Sequence, residues 1–89
     1  MTPQEILQEA AKTLKKRGEV YGGYHGSLHD IARYWGAYLD KELTPHDVAM
    51  LMLLLKTART DSSPLHLDNY IDIAGYAALA GGLSGGRQP

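Results

Sequence analysis

The chain contains no cysteine, which removes disulfide frameworks and thiolate metal sites together and makes a reducing cytoplasm its natural setting. No apolar run approaches the ~20 residues that a membrane span needs. The opening Met1-Thr2-Pro3-Gln4-Glu5 lacks the basic n-region and apolar h-region of a secretory signal. A cytoplasmic protein without a membrane partner is therefore expected. An excess of charge of one sign is also missing: nine basic and ten acidic residues give a net charge of -1. That is too little cation to hold a DNA or RNA backbone by general electrostatics, so any anion must be bound locally. A glycine-rich P-loop, a Gly-x-Ser-x-Gly elbow and a cysteine nucleophile are all absent, which leaves covalent nucleophilic catalysis without support.

What is present is helical patterning. Thr2-Pro3-Gln4-Glu5 and Thr44-Pro45-His46-Asp47 each place a hydroxyl N-cap, a proline at the first helical position and a carboxylate two residues beyond it, the signature of a capped helix start. The first helix is predicted from Pro3 to Arg17, burying Ile6, Leu7, Ala10, Ala11 and Leu14 and stopping at Gly18. The stretch from Glu19 to Gly26 holds three glycines and two tyrosines and reads as a shaped loop. Ser27 then caps a second helix to about Asp40, with Ile31, Trp35, Tyr38 and Leu39 inward.

A third helix is expected from Pro45 to about Arg59, and a fourth from Leu67 to Ala80, ended by Gly81-Gly82. Alternation typical of a strand is negligible. The reading is an all-α, four-helix antiparallel bundle-like subunit, with a single domain over residues 1–83 and a flexible tail over 84–89. Every residue from Ala49 to Leu55 is apolar, and a helix apolar all round must be covered on all sides. An 89-residue chain buries roughly 60 to 65% of its unfolded surface, so a homo-oligomer, dimer or higher, is expected.

Charges set into apolar helices need partners, because an ion taken out of water costs several kcal/mol even after relaxation. Lys56 and Arg59 are spaced to project from one side of the third helix near its C-terminal end, where the dipole also favours cations. Asp68 and Asp72 are four apart on the fourth helix, with Asn69 beside them. Dipole compensation alone would account for Arg59 and Asp68. Asp72, among Tyr70, Ile71, Ile73 and Ala74, requires at least a buried pair with Lys56, Arg59 or Arg17.

The loop adds a second half to this cluster. Arg17 leads into Tyr21-Gly22-Gly23-Tyr24-His25. Tyrosines can stack on a base, glycines let backbone N–H groups approach a phosphate, and arginine gives bidentate anion contacts. The composition suits a nucleotide; a tyrosine-plugged turn over the core is the equally weighted structural reading. His25 and His29 with Asp30 lack a third protein ligand for a transition metal. His66 precedes the fourth helix, where it could touch a ligand.

Four segments carry a resemblance: Arg17-Gly18-Glu19-Val20-Tyr21-Gly22, Ile31-Ala32-Arg33-Tyr34-Trp35, Leu53-Leu54-Leu55-Lys56-Thr57-Ala58-Arg59, and Asp68-Asn69-Tyr70-Ile71-Asp72-Ile73-Ala74-Gly75-Tyr76. Together they resemble a family of small uncharacterised phage helical proteins. More distantly the chain is similar to MazG-like all-alpha nucleoside triphosphate pyrophosphohydrolases. That likeness implies nucleotide ligands, helical dimers or tetramers, and Mg²⁺ where catalysis occurs. The metal-binding carboxylate quartet of such enzymes is incomplete here: Asn69-x-x-Asp72 stands for one pair and the other has no counterpart.

The expected function is thus that of a phage-type nucleotide-binding protein in the host cytoplasm, one that could sequester a nucleotide immune signal. The alternative is a Mg²⁺-dependent pyrophosphohydrolase. The expected ligand-binding residues are Arg17, Tyr21, Tyr24, His25, Lys56, Arg59, Asp68, Asn69 and Asp72, with no resident cofactor or protein-bound metal in the binding reading.

Overall fold

The computed structural model describes residues 1–21 and 24–84, with side chains described at 1–18 and 26–84. The helices are α1 (Pro3–Tyr21), α2 (Tyr24–Leu39), α3 (Pro45–Ser62) and α4 (Leu67–Leu83); no strand occurs among the described residues. Both proline-marked starts form as the sequence indicates. Glu5 N–H donates to the Thr2 hydroxyl at 3.1 Å while Thr2 N–H donates to the Glu5 carboxylate at 2.9 Å. Thr44 and Asp47 exchange the same two bonds, also at 3.1 and 2.9 Å, so each cap satisfies two backbone donors. The Thr2 backbone N–H, and less strongly its hydroxyl, lowers the Glu5 carboxyl below its ordinary value. A depressed acid favours the folded state above its unfolded pKa, so this contribution is lost as pH falls through the folded value.

The other helix ends correct the sequence reading. α1 does not stop at Gly18 but runs to Tyr21, and α2 starts at Tyr24, so Ser27 lies inside the helix it was expected to cap. Of the expected loop from Glu19 to Gly26, residues 19–21 and 24–26 are thus helical. α3 extends to Ser62, and α4 passes through Gly81-Gly82 to Leu83. Glycine inside a helix costs only about 1 kcal/mol relative to alanine, a cost that continued backbone bonding and packing can outweigh. Of the expected tail, residues 85–89 lie outside the described residues.

Helix α4 packs on both α1 and α3, α3 also packs on α2, and α1 touches α2. The buried centre is Leu28 and Ala32 of α2, Val48 and Ala49 of α3, and Ala80 of α4, flanked by partly buried Ile31, Trp35, Met52 and Leu79. The inward face of α2 is thus Leu28, Ile31, Ala32 and Trp35. Tyr38, expected inside, is 90% exposed, and Leu39 is also exposed. On α1, Ala10 is buried and Leu14 half-buried, whereas Leu7 and Ala11 face outward. On α3, Met50, Leu51, Leu54 and Leu55 stay exposed, the last three at 41, 56 and 44%. One chain leaves this face uncovered.

α2 ends in a tight reversal. Lys41 N–H donates to the Gly36 carbonyl at 2.9 Å and Asp40 N–H to the Ala37 carbonyl at 3.4 Å, the paired bonds of a Schellman stop. Asp40 takes the left-handed conformation, at φ 55°. A Cβ added at Gly36 would lie 2.5 Å from the Lys41 carbonyl oxygen, so only glycine fits there. Asp40→Gly should raise stability by about 0.5–1 kcal/mol, a rise of ~2–8 °C in Tm for a domain of this size. Gly36→Ala should lower it; thermal melts of the two variants check both directions.

Candidate functional site

The buried-charge problem is solved by one ion pair. Lys56 Nζ lies 3.0 Å from Asp72 Oδ2, with side chains only 17% and 15% exposed. It forms because Lys56 stands at the polar end of α3, Asp72 stands mid-way along α4, and these two helices pack against each other. Of the three cations considered for Asp72, Lys56 is the partner.

Asp72 borders two different spaces. Towards the C-terminal end of α3 and the start of α4 lies a polar groove of about 440 Å³, lined by Lys56, Arg59, Ser62, Ser63, His66, Asp68, Asn69 and Asp72. Towards α1 and α2 lies a mainly apolar cavity of about 150 Å³, whose walls include Leu14, Arg17, Leu28, Ile31, Met52, Ile71, Asp72, Gly75 and Tyr76. Asp72 is common to both.

In the groove, the charges are not equally committed. Lys56 and Asp72 neutralise each other. Asp68, exposed in the first turn of α4, lies 3.9 Å from His66 Nε2, a contact that is ionic only when the histidine is protonated. Arg59 is exposed and forms no ion pair among the described residues. Asn69 is 4% exposed, the only buried polar residue among those described. No side-chain hydrogen bond of Asn69 is found among them, and no fully enclosed polar atom is left without a partner. Its amide atoms therefore keep some contact with solvent, beside the groove that Asn69 lines.

Of the nine expected site residues, Lys56, Arg59, Asp68, Asn69 and Asp72 line the groove, while Arg17 joins Asp72 at the apolar cavity. The side chains of Tyr21, Tyr24 and His25 lie outside the described residues. Ser62 and Ser63, beyond the expected end of the third helix, line the groove, and Ser27, read as a cap, lines the cavity. A signal for the cavity was available: Ala10, Thr13, Leu14 and Arg17 on α1, with Asp72, Gly75, Tyr76 and Leu79 on α4, follow helical spacing on one face. Among the described residues, no group of three or more His, Asp or Glu side chains is placed to hold a metal ion. Asp30 pairs with Arg33 on the surface at 3.5 Å, and Glu9 with Lys12 at 3.3 Å.

A family model described as Domain of unknown function (DUF6378) matches residues 5–84. The chain belongs to that family. It is 40% identical over 75 residues to the Gene 55 protein of Mycobacterium phage D29, covering 83% of this chain and 50% of that protein. It is 45% identical over 76 residues to the Gene 55 protein of Mycobacterium phage L5, covering 83% and 49%. The chain thus spans about half the length of the curated relatives it matches, and the phage resemblance read from the sequence is met. No solved structure matches.

The ion pair should behave as a unit. Truncating one partner strands a mostly buried charge, whereas replacing both with apolar groups of similar size does not. Lys56→Met or Asp72→Leu alone should cost about 3 kcal/mol, and the double variant less than either. Urea denaturation of the three variants measures the cycle; equal and additive losses would show that the pair is not coupled.

Proposed function

We propose that this phage-type protein binds a small nucleotide and holds it without hydrolysis, consistent with sequestration of a host signalling nucleotide. The observation that carries the reading is the meeting of an apolar cavity and a polar groove at one neutralised carboxylate. A nucleotide has the same division, with a flat ring at one end and phosphate at the other. The ring enters the cavity, and Asp72 accepts a hydrogen bond from a base N–H or a sugar hydroxyl. The phosphate lies in the groove, where Arg59 is the uncommitted cation, Ser62, Ser63 and Asn69 supply donors, and Lys56 keeps Asp72 from repelling it. Arg17 reaches the same ligand from α1, with Tyr21, Tyr24 and His25 as neighbours in sequence.

Charge balance favours retention over turnover. Two cations and two carboxylates line the groove, which suits a monophosphate or cyclic phosphodiester better than a triphosphate with several negative charges. A MazG-like hydrolase would need Mg²⁺, and a Mg²⁺ site of one or two carboxylates would have to draw on Asp68 and Asp72. Arg59→Ala should weaken nucleotide binding about ten- to a hundredfold, measured by calorimetry across a panel of mono-, tri- and cyclic nucleotides. Ligand recovered intact after hours with Mg²⁺ supports binding alone. Release of pyrophosphate, abolished in Asp72→Asn, would replace this reading with hydrolysis.

The uncovered face of α3 supports assembly. Met50, Leu51, Leu54 and Leu55 form a contiguous apolar strip, and strips of this kind are normally buried against a partner. A homo-oligomer of antiparallel four-helix subunits joined through α3 accounts for it. Light scattering at ~10 µM should give a mass at least twice that of the chain, since apolar subunit interfaces dissociate well below this concentration. Leu54→Glu should return the monomer, and a wild-type monomer would remove the proposal.

A further inference from the structure

Resting on the nucleotide reading, we infer that the ligand's phosphate is received at the start of α4, where the side-chain amide of Asn69 donates a hydrogen bond to it. Asn69 is 4% exposed and lines the polar groove. Its backbone N–H donates to the His66 carbonyl at 3.1 Å. Its side-chain amide has no hydrogen-bond partner among the described residues and keeps only slight contact with solvent. A buried amide left unpaired destabilises a fold, which is why nearly all such groups are paired in native proteins. One that borders a groove is available to a ligand. Asn69 also stands one turn before Asp72 on α4, the residue at which groove and cavity meet.

The helix itself begins without a cap. Where α1 and α3 start on threonines that exchange two bonds with a first-turn carboxylate, His66 makes no side-chain capping bond to α4. The N–H groups of Leu67 and Asp68, at the positive end of the helix dipole, are left to an outside acceptor, and a phosphate suits them. Arg59, exposed and without an ion pair among the described residues, lines the same groove and supplies charge. The connecting turn is fastened at both ends. Ser63 N–H donates to the Arg59 carbonyl at 3.0 Å, His66 N–H to the Ser63 carbonyl at 3.2 Å, and the Tyr70 hydroxyl to the Pro64 carbonyl at 2.8 Å. Donors held this way lose little freedom when a ligand arrives. Of the two carboxylates at the groove, Asp72 is paired with Lys56, and the Asp68 side chain is 77% exposed, where water weakens its repulsion.

The test is calorimetry on the full chain with adenosine monophosphate, uridine monophosphate and cyclic di-adenosine monophosphate, with adenosine and uridine as phosphate-free controls. At least one of the three nucleotides should bind, and at least tenfold more tightly than its nucleoside. Asn69→Leu replaces the unpaired amide by an apolar group of similar size and better helix propensity. Its melting temperature should hold or rise while nucleotide affinity falls at least tenfold. Asn69→Asp keeps the shape and the acceptor oxygens but removes the N–H donor, and should lose affinity at least as far. A folded Asn69→Asp variant that binds as tightly as wild type would show that the ligand uses the amide oxygen or no part of Asn69, which overturns the inference and leaves nucleotide binding standing. An Asn69→Leu variant that melts lower yet binds unchanged would show a purely structural amide and overturn it in the same way. Equal affinity for nucleoside and nucleotide would remove the phosphate from the groove. Failure of all three nucleotides to bind would overturn the nucleotide reading, and this inference with it.

Discussion

A lysine and an aspartate that sit in largely apolar helices must meet, and that requirement sets how α3 lies on α4. The Lys56–Asp72 contact at 3.0 Å joins the two helices at a point where the interior has small side chains and open space, not dense packing. An ion pair removed from water gives little net stability. Its effect is on register: sliding α4 along α3 by one turn would leave two stranded charges, a penalty much larger than the gain from any alternative contact among Ala and Leu side chains. Burial of Asn69 one turn earlier on α4 belongs to the same arrangement.

That register also creates the two spaces on either side of Asp72. The polar groove exists because α3 continues past the expected stop to Ser62, bringing Ser62 and Ser63 opposite the first turn of α4. The apolar cavity exists because the side of α4 that faces α1 offers Gly75 where a larger residue could fill the gap. The two share Asp72, whose charge is balanced by Lys56. In the nucleotide complex we propose, that balance lets Asp72 accept a hydrogen bond from the ligand without repelling its phosphate, and leaves Arg59 as the cation that meets it.

The core itself is slight. Its fully buried members are mainly alanines with one leucine and one valine, while long side chains of α3 remain outside. Hydrophobic stabilisation scales with apolar area removed from water, so a fold with this distribution has much of its potential stabilisation on the surface. The family relatives in two mycobacteriophages carry about as much chain again beyond the matched region. In the assembly we propose, a second subunit supplies that cover for this chain.

Several features were legible in the sequence because their causes are local. The caps at Thr2 and Thr44 depend on residues within one turn, and both formed. The pairing demand on Asp72 follows from its apolar neighbours, and the grouping of Lys56, Arg59, Asp68 and Asn69 around it follows from helical spacing. The ends of α1 and α4 and the start of α2 were misread because glycine is a weak helix breaker, and continuation depends on packing that a local pattern does not contain. The inward face of α2 was misread in part for a related reason: Ile31 and Trp35 pack on the core as expected, but the way α2 meets α3 also turns Leu28 and Ala32 inward and leaves Tyr38 and Leu39 exposed. The choice of Lys56 over Arg17 and Arg59, the uncovered strip on α3 and the paired spaces at Asp72 depend on how helices distant in sequence meet. Sequence alone determined the helices, their capped starts and the need for a buried pair; tertiary structure decided the partner and the spaces around it, because spacing along a helix sets a side chain's direction but not what stands opposite.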